Sequence, residues 1–213
     1  MYSDPVQKEY AHLAPWYDRR WSFYVDATIQ ETMHRLDLNS HERILDLGCG
    51  TGTLIQRLLH LAPEIEIVGL DPSAEMLCVA RQKLPKSVEL RVGSADNIPF
   101  PNESFDWVIS TNAFHYFRHP YQAIQDIKRV LKPNGHLVIT DWCDDYLTCR
   151  ICDIFLRLFN RAYSRTYGTS ECQRMLQNEG LAEVSIEKYK IDWLWGMMTA
   201  TAVKKAIATQ QPS

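Results

Sequence analysis

The chain has 213 residues, 46% of them hydrophobic, and a formal net charge of −3. That length and composition support one substantial core, a single domain with a lid or cap rather than two full domains. The mild negative charge, with no basic stripe beyond Lys204-Lys205, argues against a nucleic-acid partner, which demands a cationic face. No apolar run reaches the ~18–20 residues of a membrane span. The opening Met1-Tyr2-Ser3-Asp4-Pro5 lacks the charged and apolar regions of a signal peptide. The expectation is a soluble cytoplasmic protein without integral membrane association.

Residues 5 to 38 are rich in aromatics, and Ile29, Met33 and Leu36 recur at helical spacing, which predicts one or two helices ahead of the main sheet. Asn39 to Glu42 lead into a first strand over about 43–47. Leu54, Ile55, Leu58 and Leu61 mark a helix. A second strand is expected over Ile65–Leu70, and a helix N-capped by Ser73 runs to about Leu84. Val88–Val92 and Phe105–Ser110 read as strands three and four. Tyr121, Ile124, Ile127 and Leu131 give another helix, ended by the turn chemistry of Lys132-Pro133-Asn134-Gly135. His136–Thr140 is the fifth strand. After residue 142 the rhythm changes. A long apolar helical pattern spans Cys149–Ser164, Ser170-x-x-Gln173 is a capping-box signal, and Gly180 ends that helix. Two β-like runs, Ala182–Tyr189 and Ile191–Val203, follow, and residues 209–213 read as a tail.

Strand–helix alternation predicts a Rossmann-like, doubly wound α/β sheet, with ligands outside the carboxyl ends of the strands where strand order reverses. The strongest local signal falls there. Ile44-Leu45-Asp46-Leu47-Gly48-Cys49-Gly50-Thr51-Gly52 is a buried strand entering a turn with three glycines at alternate positions, and Asp71 follows 19 residues past Gly52. Glycine admits positive φ and lets a ligand approach backbone. A carboxylate ending the second strand suits the two hydroxyls of a ribose. Alternatively, the glycines make a plain strand-to-helix turn, and Asp71 is an acid favoured by the dipole of the next helix.

The phrase resembles motif I of the class I S-adenosylmethionine (AdoMet) methyltransferases, and other segments match that family in order. Val68-Gly69-Leu70-Asp71-Pro72-Ser73-Ala74-Glu75-Met76-Leu77 looks like motif II, and Gly93-Ser94-Ala95-Asp96-Asn97-Ile98-Pro99-Phe100 like the adenine segment. Phe105–Ser110 and Leu131–Ile139 resemble the fourth strand and the turn and strand beyond. The resemblance covers roughly residues 40 to 142. It is nearest the branch with ubiquinone/menaquinone C-methyltransferases and small-molecule methyltransferases.

The resemblance implies a seven-stranded, mostly parallel sheet whose last strand is antiparallel and inserted beside strand 5. Cap helices would occupy 1–40, the AdoMet-binding core 41–142, a helical lid 143–180 and closing strands 181–204, all within one domain over 1–208. It implies that Gly48, Cys49 and Gly50 face the methionyl part, and that Asp46 helps hold the amino group. Asp71, beside Pro72, would hold the ribose; Met76 packs on adenine or in the core. Asp96, with the backbone of Ala95 and Asn97, would read adenine. Ser110 and Thr111 would offer backbone carbonyls, and Tyr17 would close over AdoMet or pack in the cap. Ser110 to His115 lacks the Asn/Asp-Pro-Pro-aromatic wording of nucleic-acid and protein amide methyltransferases. His115 is the candidate general base, its pKa suiting proton transfer near neutrality; a structural histidine is the rival reading. The acceptor expected is a small molecule, with Trp16, Phe114, Tyr116, Phe117, Phe155 and Phe159 as candidate mouth-lining aromatics.

No metal site is expected. Asp141, Asp144 and Asp145 lack an acidic partner beside strand 4, and Cys149-x-x-Cys152 has no second pair or histidines at zinc spacing. Two other functions share a glycine-rich turn: an NAD(P)-dependent oxidoreductase and a non-catalytic AdoMet-binding protein.

Overall fold

The computed structural model describes residues 17–159 and 165–206, with the side chains of residues 17–19, 156, 157 and 159 outside the description. In chain order the elements are α1 (Tyr17–Met33), β1 (Arg43–Leu47), α2 (Thr53–Leu61), β2 (Glu66–Asp71), α3 (Ala74–Lys83), β3 (Glu89–Val92), β4 (Phe105–Thr111), a 3₁₀ turn (Phe114–Tyr116), α4 (Pro120–Val130), β5 (Leu131–Trp142), α5 (Leu147–Phe159), α6 (Thr169–Asn178), β6 (Ala182–Lys190) and β7 (Gly196–Val203).

The seven strands form one sheet in the order β3-β2-β1-β4-β5-β7-β6. β1 is parallel to β2 and β4, β2 to β3, and β4 to β5. β7 runs antiparallel between β5 and β6. Strand order reverses between β1 and β4, which opens a crevice at their carboxyl ends.

Side chains alternate across the central strands, so both faces must be covered. Ile44, Trp107, Ile109 and Val138 pack under α1, α2 and α3, against Ile29, Leu54, Ile55, Leu58 and Leu77. Leu45, Leu47, Val68, Leu70, Val108, Leu137 and Ile139 face the other way, onto Ile124 and Ile127 of α4 and Met175 and Leu176 of α6. A line of hydroxyls ties α1 to the sheet. Thr32 Oγ1 donates to Thr140 Oγ1 at 2.7 Å and lies 3.1 Å from Thr111 Oγ1. Thr140 continues to Thr199 at 3.0 Å, and Thr199 to Tyr189 at 2.8 Å.

Three boundaries differ from the sequence expectation. β5 is longer than His136–Thr140: Leu131 pairs with Phe105 before an irregularity, and Asp141 and Trp142 pair with Met198 and Met197. The final strand starts at Gly196 rather than Ile191, because Asp192 Oδ1 accepts from the N–H groups of Leu194 and Trp195 at 2.8 and 2.6 Å and closes a turn. α6 begins at Thr169 rather than after a Ser170 cap, and its N-cap position is Gly168, with no side-chain cap bond of its own. Asp145, 24 residues away, supplies the cap instead: its Oδ2 accepts from Thr169 N at 3.4 Å and Oγ1 at 2.6 Å. Partial burial pushes the Asp145 carboxyl up, but the bonds from Thr169 outweigh it and leave the group below its usual range. Asp145→Ala is expected to cost about 1 kcal/mol of stability, the usual worth of an N-cap. Chemical denaturation with an unchanged midpoint would show that Thr169 needs no such partner.

Candidate cofactor-binding site

β1 ends in a turn that only glycine accommodates. Gly48, Gly50 and Gly52 have φ of +81°, +52° and +76°. A Cβ built on Gly48 would lie 2.4 Å from the Ala113 Cβ, so the turn is seated against the segment after β4. Gly48 N and Cys49 N both donate to Leu70 O, at 2.8 and 3.2 Å, which stitches the turn to β2. Asp71 closes it from the side. Its Oδ2 accepts from Gly50 N and its Oδ1 from Ser73 N, both at 2.8 Å. Ser73 Oγ then caps α3 by accepting from Met76 N at 3.2 Å.

The segment after β4 forms the opposite wall. Asn112 adopts φ +59°. Its N–H donates to Thr140 O at 2.8 Å, its Nδ2 donates to Thr28 Oγ1 at 2.7 Å and its Oδ1 accepts from Tyr24 OH at 2.6 Å. Asn112 therefore locks α1 onto the crevice. Between these walls lies a cleft of about 500 Å³, with Asp46 at its base, Asp96, Ala95 and Val92 at the β3 end, and Tyr116, Phe117 and Arg118 beyond. That size is ordinary for a cofactor site.

The structure brings together Asp46, Gly48, Cys49, Gly50, Asp71, Pro72, Met76, Ala95, Asp96 and Thr111 around this one cleft. Asn97, Ser110 and His115 are not among its walls. Asn97 is exposed in a tight turn in which its N–H donates to Ser94 O at 3.2 Å. Ser110 is fully buried, and its Oγ has no hydrogen-bond partner among the described residues. Tyr17 opens α1, and its side chain lies outside the described residues, as do Trp16 and the side chain of Phe159. Of the other candidate mouth aromatics, Tyr116 and Phe117 line the cleft, Phe114 is core and Phe155 is exposed.

Sequence reasoning missed Val25 and Ile29 of α1, together with Arg118 and His119, all of which line the cleft. Val25 and Ile29 are four apart on an amphipathic helix, a signal no different from ordinary core.

His115 is also buried. Its backbone N–H donates to Asp141 Oδ2 at 2.9 Å, and its Nδ1 lies 2.6 Å from Asp141 Oδ1. The ring stacks on Trp142 at 5.1 Å and meets Tyr116 at 4.1 Å between centroids. The other acids after β5 are also engaged, Asp144 with Arg150 at 3.5 Å and Asp145 with Thr169.

Electrostatically the base of the cleft is poised for a cation. Asp46 is almost wholly buried, and its Oδ2 has no partner among the described residues. Burial, with the Asp71 charge adding, pushes its carboxyl up to about 8. Burial raises Asp71 to about 6, opposed by the N–H bonds from Ser73 and Gly50. An orphaned buried carboxylate oxygen is costly, and a bound ammonium would relieve it. The residues thus fit AdoMet. Asp46 would hold its amino group, the glycine turn would admit its methionyl part, Asp71 would hold the ribose and Asp96 the adenine end.

An acid whose folded pKa exceeds its unfolded value holds its proton more tightly in the folded state. The ligand-free protein should therefore lose stability as pH rises from about 4 through 6 for Asp71 and through 8 for Asp46, by at most about 1.4 kcal/mol per group per pH unit. Melting temperatures between pH 5 and 8 test this. Asp46→Asn should flatten the upper part of the fall, and an equally steep fall in that variant would show that Asp46 is not its source.

A seven-stranded sheet of this order, with a glycine turn and two acids at its switch point, has the architecture of a class I AdoMet-dependent methyltransferase. Residues 45–139 match the family described as methyltransferase domain. It is 38% identical over 125 residues to a demethylmenaquinone methyltransferase of Thermotoga maritima, covering 58% of this chain and 54% of that one. The chain thus spans about half the length of that relative. Two solved structures share the fold. A Haloferax volcanii methyltransferase in complex with the Trm112 activator superposes with a TM-score of 0.79 at 21% identity, over 93% of this chain and 98% of that one. A Thermotoga maritima AdoMet-dependent methyltransferase gives 0.77 at 20% identity, over 94% and 100%.

Proposed function

We propose that this protein transfers the methyl group of AdoMet to an O, N or C atom of a small, partly apolar molecule. One observation carries the reading: a buried carboxylate, with an oxygen unpartnered among the described residues, sits beside a glycine turn whose backbone is open to a ligand. Bound AdoMet supplies an electrophilic sulfonium methyl. The chain's part is to align an acceptor and exclude water, so most of the rate gain comes from proximity and orientation. The glycine turn and Asp46 fix one end of the donor, and Asp71 and Asp96 the other. Tyr116 and Phe117, with residues 143–180 as a lid, would frame the acceptor. The name of the Thermotoga maritima relative in the quinone series supports an aromatic, apolar acceptor class. Among the described residues no helix is long and apolar enough to cross a membrane, and a cytoplasmic location is part of the same proposal.

His115 is kept as the candidate base, with its burial outside the cleft walls supporting the rival structural reading. Asp141 against Nδ1 favours the tautomer that carries the proton on Nδ1. His115→Ala should lower turnover about 100-fold, the low end of general-base contributions, with AdoMet affinity unchanged. Full activity would assign the proton to water, substrate or another residue.

Calorimetric titration with AdoMet and with NAD⁺ tests the donor, and heat with NAD⁺ alone would favour the oxidoreductase reading. Labelled methyl transfer over a panel of phenols, quinols and amines tests the reaction. Sustained AdoMet binding without product from any acceptor would make this a binding protein.

A further inference from the structure

The residues assigned to the donor run along the carboxyl edge of the sheet. Asp96 follows β3, Asp71 ends β2 and Asp46 lies in β1, and these strands are neighbours in the order β3-β2-β1-β4-β5. A donor held by them has its adenine at β3, its ribose at β2 and its methionyl part at β1. The next places in that row are the ends of β4 and β5. An acceptor aligned for in-line transfer has to stand on that side of the sulfonium.

What the chain places there is aromatic. Trp142 ends β5. Its ring lies 4.7 Å from that of Trp195 and 5.1 Å from that of His115 between centroids, the His115 pair nearly parallel at 13°. Tyr24 of α1 meets Trp195 at 5.4 Å, and Trp21 meets it at 6.5 Å. Tyr24 is buried, whereas Trp142 and Trp195 pack against the α1 side of the core and still keep part of their surface exposed. The group joins the cleft at two points. Tyr116, which lines the cleft, meets the His115 ring at 4.1 Å. Trp142 Nε1 donates to Tyr24 OH, which donates to Asn112 Oδ1 at 2.6 Å, and Asn112 lines the cleft as well. That second tie satisfies the indole N–H and fixes the plane of the ring. The acids nearby are engaged. Asp141 accepts from the N–H groups of His115 and Trp142 at 2.9 and 2.7 Å, Asp192 from those of Leu194 and Trp195, and Asp144 faces Arg150. A cationic acceptor would meet ring faces there with none of these carboxylates left over to balance it, whereas a neutral ring would stack.

We propose that Trp142 and Trp195 determine acceptor specificity, forming the platform on which a flat, neutral aromatic acceptor stacks beside the sulfonium. This role for the indoles rests on the methyltransferase reading above and adds to it the side chains that choose the acceptor. Trp142 is held in place by β5 and by its bond to Tyr24, and Trp195 by the turn that Asp192 closes. The platform is therefore rigid before the acceptor arrives, so little ordering is lost on binding.

Calorimetry on the full chain saturated with S-adenosylhomocysteine tests this with 2-naphthol, decahydro-2-naphthol and choline. The first is flat and neutral, the second has the same skeleton but is not flat, and the third is a cation. 2-Naphthol should bind about tenfold more tightly than its saturated analogue, the size of aromatic stacking beyond buried area, and choline should give no heat. Trp142→Leu and Trp195→Leu should each weaken 2-naphthol about five- to tenfold and leave the affinity for S-adenosylhomocysteine unchanged, which a general loss of structure would not do. Melting curves verify that the variants fold, and the wild-type comparison of flat and saturated probes stands even where one does not. Equal binding of the flat and saturated probes overturns the assignment, as does tighter binding of choline than of 2-naphthol. 2-Naphthol binding untouched by both substitutions overturns it too, and so does the absence of 2-naphthol heat from protein that binds S-adenosylhomocysteine. No heat from S-adenosylhomocysteine itself would be a separate failure, that of the donor reading, and would take the platform with it.

Discussion

Asp71→Ala is expected to weaken AdoMet binding by about 1–3 kcal/mol, roughly five- to 150-fold in Kd. The side chain does two jobs. It ends β2 beside the cleft, where a ribose would meet it, and it holds Gly50 N and Ser73 N with its two oxygens. Removing it strips the ribose of its acceptor and frees the turn that must stay open to the methionyl part. Asp71→Asn separates the roles. Its amide oxygen can still serve one backbone N–H, but it cannot accept from both N–H groups and two hydroxyls. Calorimetry should therefore rank wild type above Asn and Asn above Ala. Unchanged affinity in the alanine variant would remove Asp71 from the site.

Gly48→Ala should be the more damaging change to the fold. A methyl there would stand 2.4 Å from the Ala113 Cβ, on a residue whose φ is +81°. Left-handed strain costs an alanine about 1–2 kcal/mol and steric overlap in packed surroundings typically another 1–3, so a stability loss of about 2–5 kcal/mol is expected. Gly50 provides the contrast. A methyl there meets only the Met76 Cε at 3.8 Å, on the side that lines the cleft. Gly50→Ala should lose less stability in urea than Gly48→Ala, yet bind AdoMet poorly because the methyl fills ligand space. Equal denaturation midpoints for Gly48→Ala and wild type would contradict the close seating of the turn on the segment after β4.

The parts of this molecule legible in the sequence are those fixed by local chemistry. Ile44–Leu47 is an apolar run short enough to be a buried strand, and three glycines leave one place for the turn. Pro133 and Gly135 announce the break between α4 and the main part of β5. What the sequence hides are partners brought together from afar. Asp145 caps α6 across 24 residues, so the nearby Ser170-x-x-Gln173 pattern misleads. Asn112 reads as a loop polar residue, but its ties to Tyr24 and Thr28 make it the latch of α1. Histidine near the end of β4 reads either as a base or as a structural residue. Its burial against Asp141 and Trp142 depends on β5 running two residues past the expected end.

The site divides along the same line. The residues expected on the donor side lie in contiguous motifs, so they could be proposed before any fold was known. The acceptor side proposed here would come from α1, the segment after β4 and the region after β5, whose patterns read equally well as core. That is why the donor is better defined than the acceptor.

A crystal structure with S-adenosylhomocysteine is the most direct test of the central claim. The account predicts its amino group within hydrogen-bond distance of Asp46 Oδ2, which has no partner among the described residues, and its ribose hydroxyls on Asp71. It also predicts the adenine at the β3 end near Ala95 and Asp96. A nucleoside bound elsewhere on the protein, or bound here with Asp46 still unengaged, would contradict it.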